Sequence, residues 1–299
     1  MRTILVGLGS QGKKHKQVSE GDIVVTVDPC NPIAGWKDIK DIPINLYDAA
    51  IICTPNQEKN PIIEYLLDNK KHIMVEKPLI GTSEELNTLW RIQQKEKVAL
   101  YTAYNYRFEP HIVQLKKILD NQELGELYTI KIFLGNGTAK NVKDSPWRDQ
   151  GRGVLEEIGS HQFDLVQYFL NDYNIDFPYV LVTNHENLAW DHTIFHSEGN
   201  PLITIESTYC YWKNTFTIDV TGELGSVHIN GLLKWGSSTL RTQKRIFPSG
   251  VPIENVDYSV DSDPTLQLQY EYFKELCKTG GTNIDTSIWI NNIFNEVQV

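Results

Sequence analysis

Thr3-Ile4-Leu5-Val6-Gly7-Leu8-Gly9-Ser10-Gln11-Gly12 opens the chain, and the reading of this stretch decides the fold. The first four residues are β-branched or aliphatic, a G-x-G-x-x-G turn follows at once, and residues 13–19 are polar and helix-prone. A strand before and a helix after are the context in which this glycine pattern signals a dinucleotide. Gly7 permits the tight turn, Gly9 lets a pyrophosphate approach the backbone, and Gly12 lets the helix pack close to the strand. Ser10 and Gln11 sit where the helix begins, and its unpaired N–H groups and partial positive charge suit phosphate.

The second strand, residues 23–27, ends in Asp28, where a carboxylate accepts hydrogen bonds from an adenosine ribose and repels a 2′-phosphate. NAD is therefore favoured, while Lys13 and Lys14 keep NADP open. Residues 29–48 hold Pro29, Pro32, Pro43 and Trp36 with few periodic apolar positions, so the crossover expected there is abbreviated. Residues 49–53 make a buried strand ending in Thr54-Pro55-Asn56, and residues 61–67 a helix.

His72-Ile73-Met74-Val75-Glu76-Lys77-Pro78-Leu79 is a short apolar run stopped by charge, the signature of a buried parallel strand. Ligands of open α/β sheets collect at strand carboxyl ends, which places Glu76 and Lys77 with Thr54, Pro55 and Asn56 on the cofactor edge. Pro78 restricts its neighbour and, in a tight turn, can hold the Lys-Pro bond cis. Thr82-x-x-Glu85 is a capping box opening a helix to about Glu96, and residues 98–104 form one more strand.

There the alternation of strand and helix stops. Residues 1–105 read as a doubly wound dinucleotide-binding domain, and residues 106–299 as an α+β domain on a large, mostly antiparallel sheet. Its extended segments are 127–134, 178–183, 189–196, 202–211, 215–220 and 226–230. Helices over 264–278 and 285–297 close the chain and can pack back on the first domain. Residues 135–144 and 241–263 are read as variable loops that carry specificity.

A formal charge of −10 without a basic stripe makes nucleic acid and anionic membrane poor partners. No apolar run is long enough to span a bilayer, and no signal peptide is read, so a cytoplasmic protein is expected. Cys30, Cys53, Cys210 and Cys277 lack CxxC spacing and read as buried thiols of a reducing compartment, with no metal site. The open face of the second sheet is the expected dimer or tetramer surface.

Chemistry is expected on a helix over 154–170. Glu157, His161, Asp164 and Tyr168 recur at steps of four, three and four, so they share a face. A carboxylate one turn from an imidazole can orient it as a general base. Polar stripes are usually solvated, but Gly159 in mid-helix implies that something packs close there, and the flanking Gly151-Arg152-Gly153 leaves the helix N-terminus open to a ligand. Asn105, Tyr106, Arg107, Trp147, Arg148 and Asp164 are the candidate substrate contacts: an arginine suits a carboxylate or diphosphate, and Trp147 suits a sugar face.

GLGSQGKKH (7–15), CTPN (53–56), VEKPL (75–79), NYRFEP (105–110) and GVLEEIGSHQFD (153–164) occur in this order. With these intervals the chain resembles the glucose-fructose oxidoreductase, inositol dehydrogenase and MocA family of NAD(P)-dependent oxidoreductases. The resemblance implies that Lys77 bridges nicotinamide and substrate and that His161 takes the proton of the substrate hydroxyl. It implies hydride transfer from a secondary alcohol of a sugar, cyclitol or sugar nucleotide. Glu157 stands where the family usually has aspartate, so either Glu157 or Asp164 is expected to orient His161. Gln57-Glu58-Lys59-Asn60 replaces a stretch in which the family often has histidine. A nucleotide-binding, sugar-sensing regulator is the alternative from another class, and redox-assisted glycoside cleavage a third.

Overall fold

The computed structural model describes residues 1–19 and 21–297. Its chain divides into two compact units, Met1–Asn105 with Pro264–Asn292, and Tyr106–Asp263 with Ile293–Val299. Residues 264–292, assigned by sequence to the second domain, thus belong with the first.

The first unit starts with β1 (Thr3–Val6), α1 (Ser10–Val18) and β2 (Ile23–Val27). Then come β3 (Ala49–Ile52), α2 (Asn56–Asp68), β4 (His72–Glu76), α3 (Ser83–Glu96) and β5 (Leu100–Ala103). All strands pair parallel, in the order β2-β1-β3-β4-β5. The strands β1, β3, β4 and β5 are continuous buried runs, as a sheet covered on both faces requires. The order reverses between β1 and β3, which makes the crevice at their carboxyl ends the expected ligand position.

The abbreviated crossover is real: residues 29–48 carry only the 3₁₀ turns Ile39–Asp41 and Ile44–Leu46, and no strand lies outside β2. In place of a strand, Trp36 bridges to Val27. The capping box at Thr82 and Glu85 forms in full.

In the second unit, α4 (Pro110–Asp120) precedes β6 (Leu127–Gly135), α5 (Ala139–Lys143) and a π-helical turn, Leu155–Gly159, that runs into α6 (Ser160–Leu170). The sheet continues with β7 (Tyr179–Thr183), β8 (His192–His196), β9 (Leu202–Thr208), β10 (Thr215–Gly222) and β11 (Gly225–Asn230). A hairpin of β12 (Ser238–Ile246) and β13 (Gly250–Ser259) occupies what was read as a variable loop. Residues of β13 are exposed along nearly its whole length, so the alternation that marks a half-buried strand never arises.

Eight strands order as β13-β12-β11-β10-β6-β9-β8-β7, antiparallel except for the β6–β9 pair. Ile130, Ile132 and Leu134 of β6 and Phe216, Ile218 and Val220 of β10 are buried and share one face. The chain then returns to the first unit through α7 (Thr265–Thr279) and α8 (Ile284–Glu296), the latter counted with it as far as Asn292. Cys30, expected to be buried, is exposed, and the other three cysteines are half-buried and free. Among the described residues no helix is long and apolar enough to cross a membrane, and no cluster of ligating side chains could hold a metal ion.

Candidate functional site

The first unit gathers the expected cofactor residues at the carboxyl ends of β1, β2, β3 and β4. Gly7 has φ +93°, and a Cβ there would lie 2.6 Å from the Cys53 carbonyl oxygen. A Cβ on Gly12 would lie 2.0 Å from the Gly7 carbonyl oxygen, so this turn closes on itself only as glycine. Around Gly9, by contrast, a Cβ would meet nothing within 4 Å. No side chain caps α1, which begins at Ser10 and Gln11, so its first N–H groups remain for an anion.

Thr54 follows β3, beside Gly7, and its buried hydroxyl oxygen has no hydrogen-bond partner among the described residues. A tight turn, an open approach at Gly9, an uncapped helix start and an orphaned hydroxyl together fit a dinucleotide. Pro55 stands at the N-cap of α2, and Asn56 is its first residue.

Asp28 is built into this loop. Its Oδ2 accepts from the Leu8 N–H at 2.8 Å, and its Oδ1 from the N–H groups of Cys30 and Asn31, each at 2.9 Å. Burial pushes the carboxyl up, and the three backbone donors together with the charge of Lys37 more than offset it, leaving the group below the ordinary aspartate value.

The Glu76-Lys77-Pro78 turn is held by side chains that the sequence reading gave no role. His15 of α1, fully buried, meets Glu76 Oε1 through Nε2 at 2.7 Å. Burial pushes Glu76 up, but the hydrogen bond from His15 and the charges of His15, Lys77 and Lys59 bring it below the usual glutamate value. Lys59 is 2 % exposed and donates to the carbonyl oxygens of Glu76 and Pro78. The Lys77–Pro78 peptide is cis.

In the second unit, α6 is no solvated stripe. His161 is 6 % exposed and Asp164 0 %. The Tyr106 ring stacks on the His161 imidazole with centroids 4.0 Å apart and planes 8° from parallel. Tyr106 is itself buried, receives a hydrogen bond on its hydroxyl from Lys234, and lies under that ammonium at 4.4 Å. Burial pushes the Tyr106 phenol up. Tyr106, expected to touch substrate, therefore packs on the histidine.

The two carboxylates expected to orient His161 are both held by arginines. Arg107 donates from Nε to both Asp164 oxygens, at 3.0 and 2.8 Å, and from Nη2 at 2.5 Å. Arg148 Nη2 donates to both oxygens of Glu157, at 2.6 and 2.7 Å, and the Tyr209 hydroxyl donates to Glu157 Oε2 at 2.7 Å. Burial and then Glu157 raise the Tyr209 phenol well above its ordinary value. Asp164 and Arg107 thus form an internal ion pair where substrate contacts were expected.

Glu157 lies within the π-helical turn and His161 in α6, so the steps of a regular α-helix do not carry across from one to the other. Gly159 makes the predicted close approach: a Cβ there would lie 3.3 Å from Ser207 Oγ of β9. The start of this helix is not open, however. The Val154 N–H donates to the Trp190 carbonyl at 2.8 Å, the Trp190 N–H donates to the Gly151 carbonyl at 3.1 Å, and a Cβ on Gly153 would lie 2.5 Å from Trp190 O. Trp147 is 71 % exposed. Asn105 falls in the first unit, where its amide donates to Thr265 Oγ1 at 2.8 Å.

A parallel sheet with a glycine turn at its switch point, followed in the chain by a mostly antiparallel sheet, is the architecture of a dinucleotide-binding unit joined to a second, sheet-based unit. Residues 1–104 match the family model described as "Oxidoreductase family, NAD-binding Rossmann fold", and residues 112–228 match the "GFO/IDH/MocA C-terminal domain". The chain belongs to the GFO/IDH/MocA oxidoreductase family, with an NAD-binding Rossmann unit.

Among similar curated proteins, levoglucosan dehydrogenase of Pseudarthrobacter phenanthrenivorans is 28 % identical over 150 residues, 48 % of this chain and 38 % of that protein. Inositol 2-dehydrogenase of Rhizobium meliloti is 25 % identical over 182 residues, 56 % of this chain and 54 % of that one. The matched stretches thus span between about a third and about half of the length of such relatives. A solved levoglucosan dehydrogenase in complex with NADH superposes with TM-score 0.86 at 18 % identity, covering 99 % of this chain and 95 % of that one, and it shows the same fold.

Proposed function

We propose that the protein is an NAD(P)-dependent dehydrogenase acting on a secondary alcohol of a sugar, cyclitol or sugar nucleotide. The observation that carries this reading is a buried, ring-stacked His161 in a chain whose other unit presents an NAD-type glycine turn open at Gly9. Bound nicotinamide supplies the hydride acceptor. His161 accepts the hydroxyl proton as the carbon–hydrogen bond breaks, a contribution typically of about 10²- to 10⁴-fold. Lys77 donates a hydrogen bond to the developing alkoxide, and Asp28 takes the ribose hydroxyls on oxygens already aligned by Leu8, Cys30 and Asn31.

Trp147 remains the candidate for stacking on a sugar face, and Arg148 bears on substrate through Glu157. NAD is the expected cofactor, with NADP as the weaker one. The half-exposed face of the second sheet, which includes Tyr179 and Leu181, suits a second copy of the chain. The free cysteines suit a cytoplasmic setting.

A sugar-sensing regulator is the second reading, favoured by one feature: Glu157, at the family's usual aspartate position, is taken up by Arg148 and Tyr209. Calorimetric titration with NADH and NADPH, followed by a turnover panel of cyclitols, anhydrosugars and sugar nucleotides, separates the two. Binding with turnover establishes the dehydrogenase; binding without any turnover establishes the regulator. Asp28→Ala is expected to weaken NADH roughly tenfold or more, the worth of hydrogen bonds to a charged group, and to narrow the preference over NADPH. A preference for NADPH in the unmodified protein would overturn the role given to Asp28.

A further inference from the structure

We infer that Lys59 is a positioning residue that holds the Lys77 turn from beneath; its bearing on turnover rests on the role proposed for Lys77. The Lys59 ammonium donates to Asn56 Oδ1 at 2.9 Å, to Glu76 O at 2.6 Å and to Pro78 O at 2.7 Å. An ammonium has three N–H donors, and three acceptors surround this one. The two carbonyls belong to the residues on either side of Lys77, so the backbone is tied on both flanks to the first turn of α2. His15 holds the Glu76 side chain as well, and Asn60 Nδ2 reaches Ile80 O at 3.1 Å, extending the tether past the turn.

Helix α2 does not explain the lysine. A cation in the first turn opposes the helix dipole, and a buried ammonium is costly unless fully hydrogen-bonded. Its charge is balanced by Glu76, on which Lys59 acts as one of the charges that lower the carboxyl. The three-donor side chain spans both carbonyls at once.

The test compares wild type with Lys59→Met, Lys59→His and Lys77→Ala, none of which touches the glycine turn. Hydrogen exchange of residues 75–81 is expected to quicken roughly tenfold or more in Lys59→Met, with β1 and β3 unchanged, because two backbone anchors are lost. Turnover should fall about 10²-fold, the usual consequence of misplacing a reacting group by about an ångström, while NADH affinity stays within about threefold. Lys59→His should recover part of it. In the Lys77→Ala background Lys59→Met should add less than about threefold, since both act through one group.

Unchanged exchange in residues 75–81, or a full additional loss in the Lys77→Ala background, would overturn the assignment. Quickened exchange in a protein that oxidises no alcohol on the panel would leave the tether standing and remove the dehydrogenase reading. Should Lys59→Met not fold, Lys59→Gln carries the same comparison.

Discussion

Turnover of His161→Asn is expected to fall about 10²- to 10⁴-fold, with NADH affinity within a few-fold of wild type and the protein still folded at the assay temperature. The reasoning starts from position. The imidazole is buried, it is flanked on one face by the Tyr106 ring, and that ring is anchored at its hydroxyl by Lys234. Stacking fixes the plane of the imidazole, and asparagine keeps polarity while removing the atom that accepts the proton. Steady-state rates on the best alcohol of the panel, together with calorimetric NADH binding, give the readout. A variant working within a few-fold of wild type would remove His161 from the chemistry.

Arg107→Met is expected to destabilise the second unit by about 3–5 kcal/mol, lowering its melting transition by roughly 10 °C, because Asp164 is left buried and unpaired. The Asp164 carboxyl already lies above its ordinary value, since burial raises it more than Arg107 lowers it. The folded state therefore binds that proton more tightly than the unfolded chain. Its contribution to stability is greatest at acid pH and is lost as pH rises through the raised value. Removing Arg107 moves the folded value further up, so the deficit of the variant should narrow as pH is lowered. Arg107→Met with Asp164→Leu should recover most of the loss. A deficit independent of pH, or no recovery in the double variant, would show that the pair is not what holds this part of the unit.

Much of the fold was legible in the residues because the first unit repeats a local code. Strand, glycine turn and helix succeed one another within a few residues, so pattern and backbone agree. The proline-laden span after β2 also announced an abbreviated crossover. The second unit was legible where strands alternate, and opaque in β12 and β13, whose exposure removes the alternation.

Site partners were legible only by type. Glu157, His161 and Asp164 do lie in one helical segment, but the π-helical turn that holds Glu157 is invisible to a count of steps. The arginines that hold the carboxylates come from residues 107 and 148, one before α4 and one in the segment before α6, and no spacing within a helix could announce them. Lys59 and His15 escaped notice for a related reason: each serves backbone or side-chain groups of another strand.

The loss of a strand beside β2 leaves that strand as the border of its sheet. A border carries a row of N–H and C=O groups without neighbours, and such edges fray or recruit foreign strands. Here Trp36 takes up two of them, donating to the Thr26 carbonyl at 3.1 Å and accepting from the Asp28 N–H at 3.1 Å. One residue of an irregular loop thus finishes the hem at the point where the Asp28 loop begins. Shortening that loop would reopen the border of the sheet beside Asp28 before it touched the core.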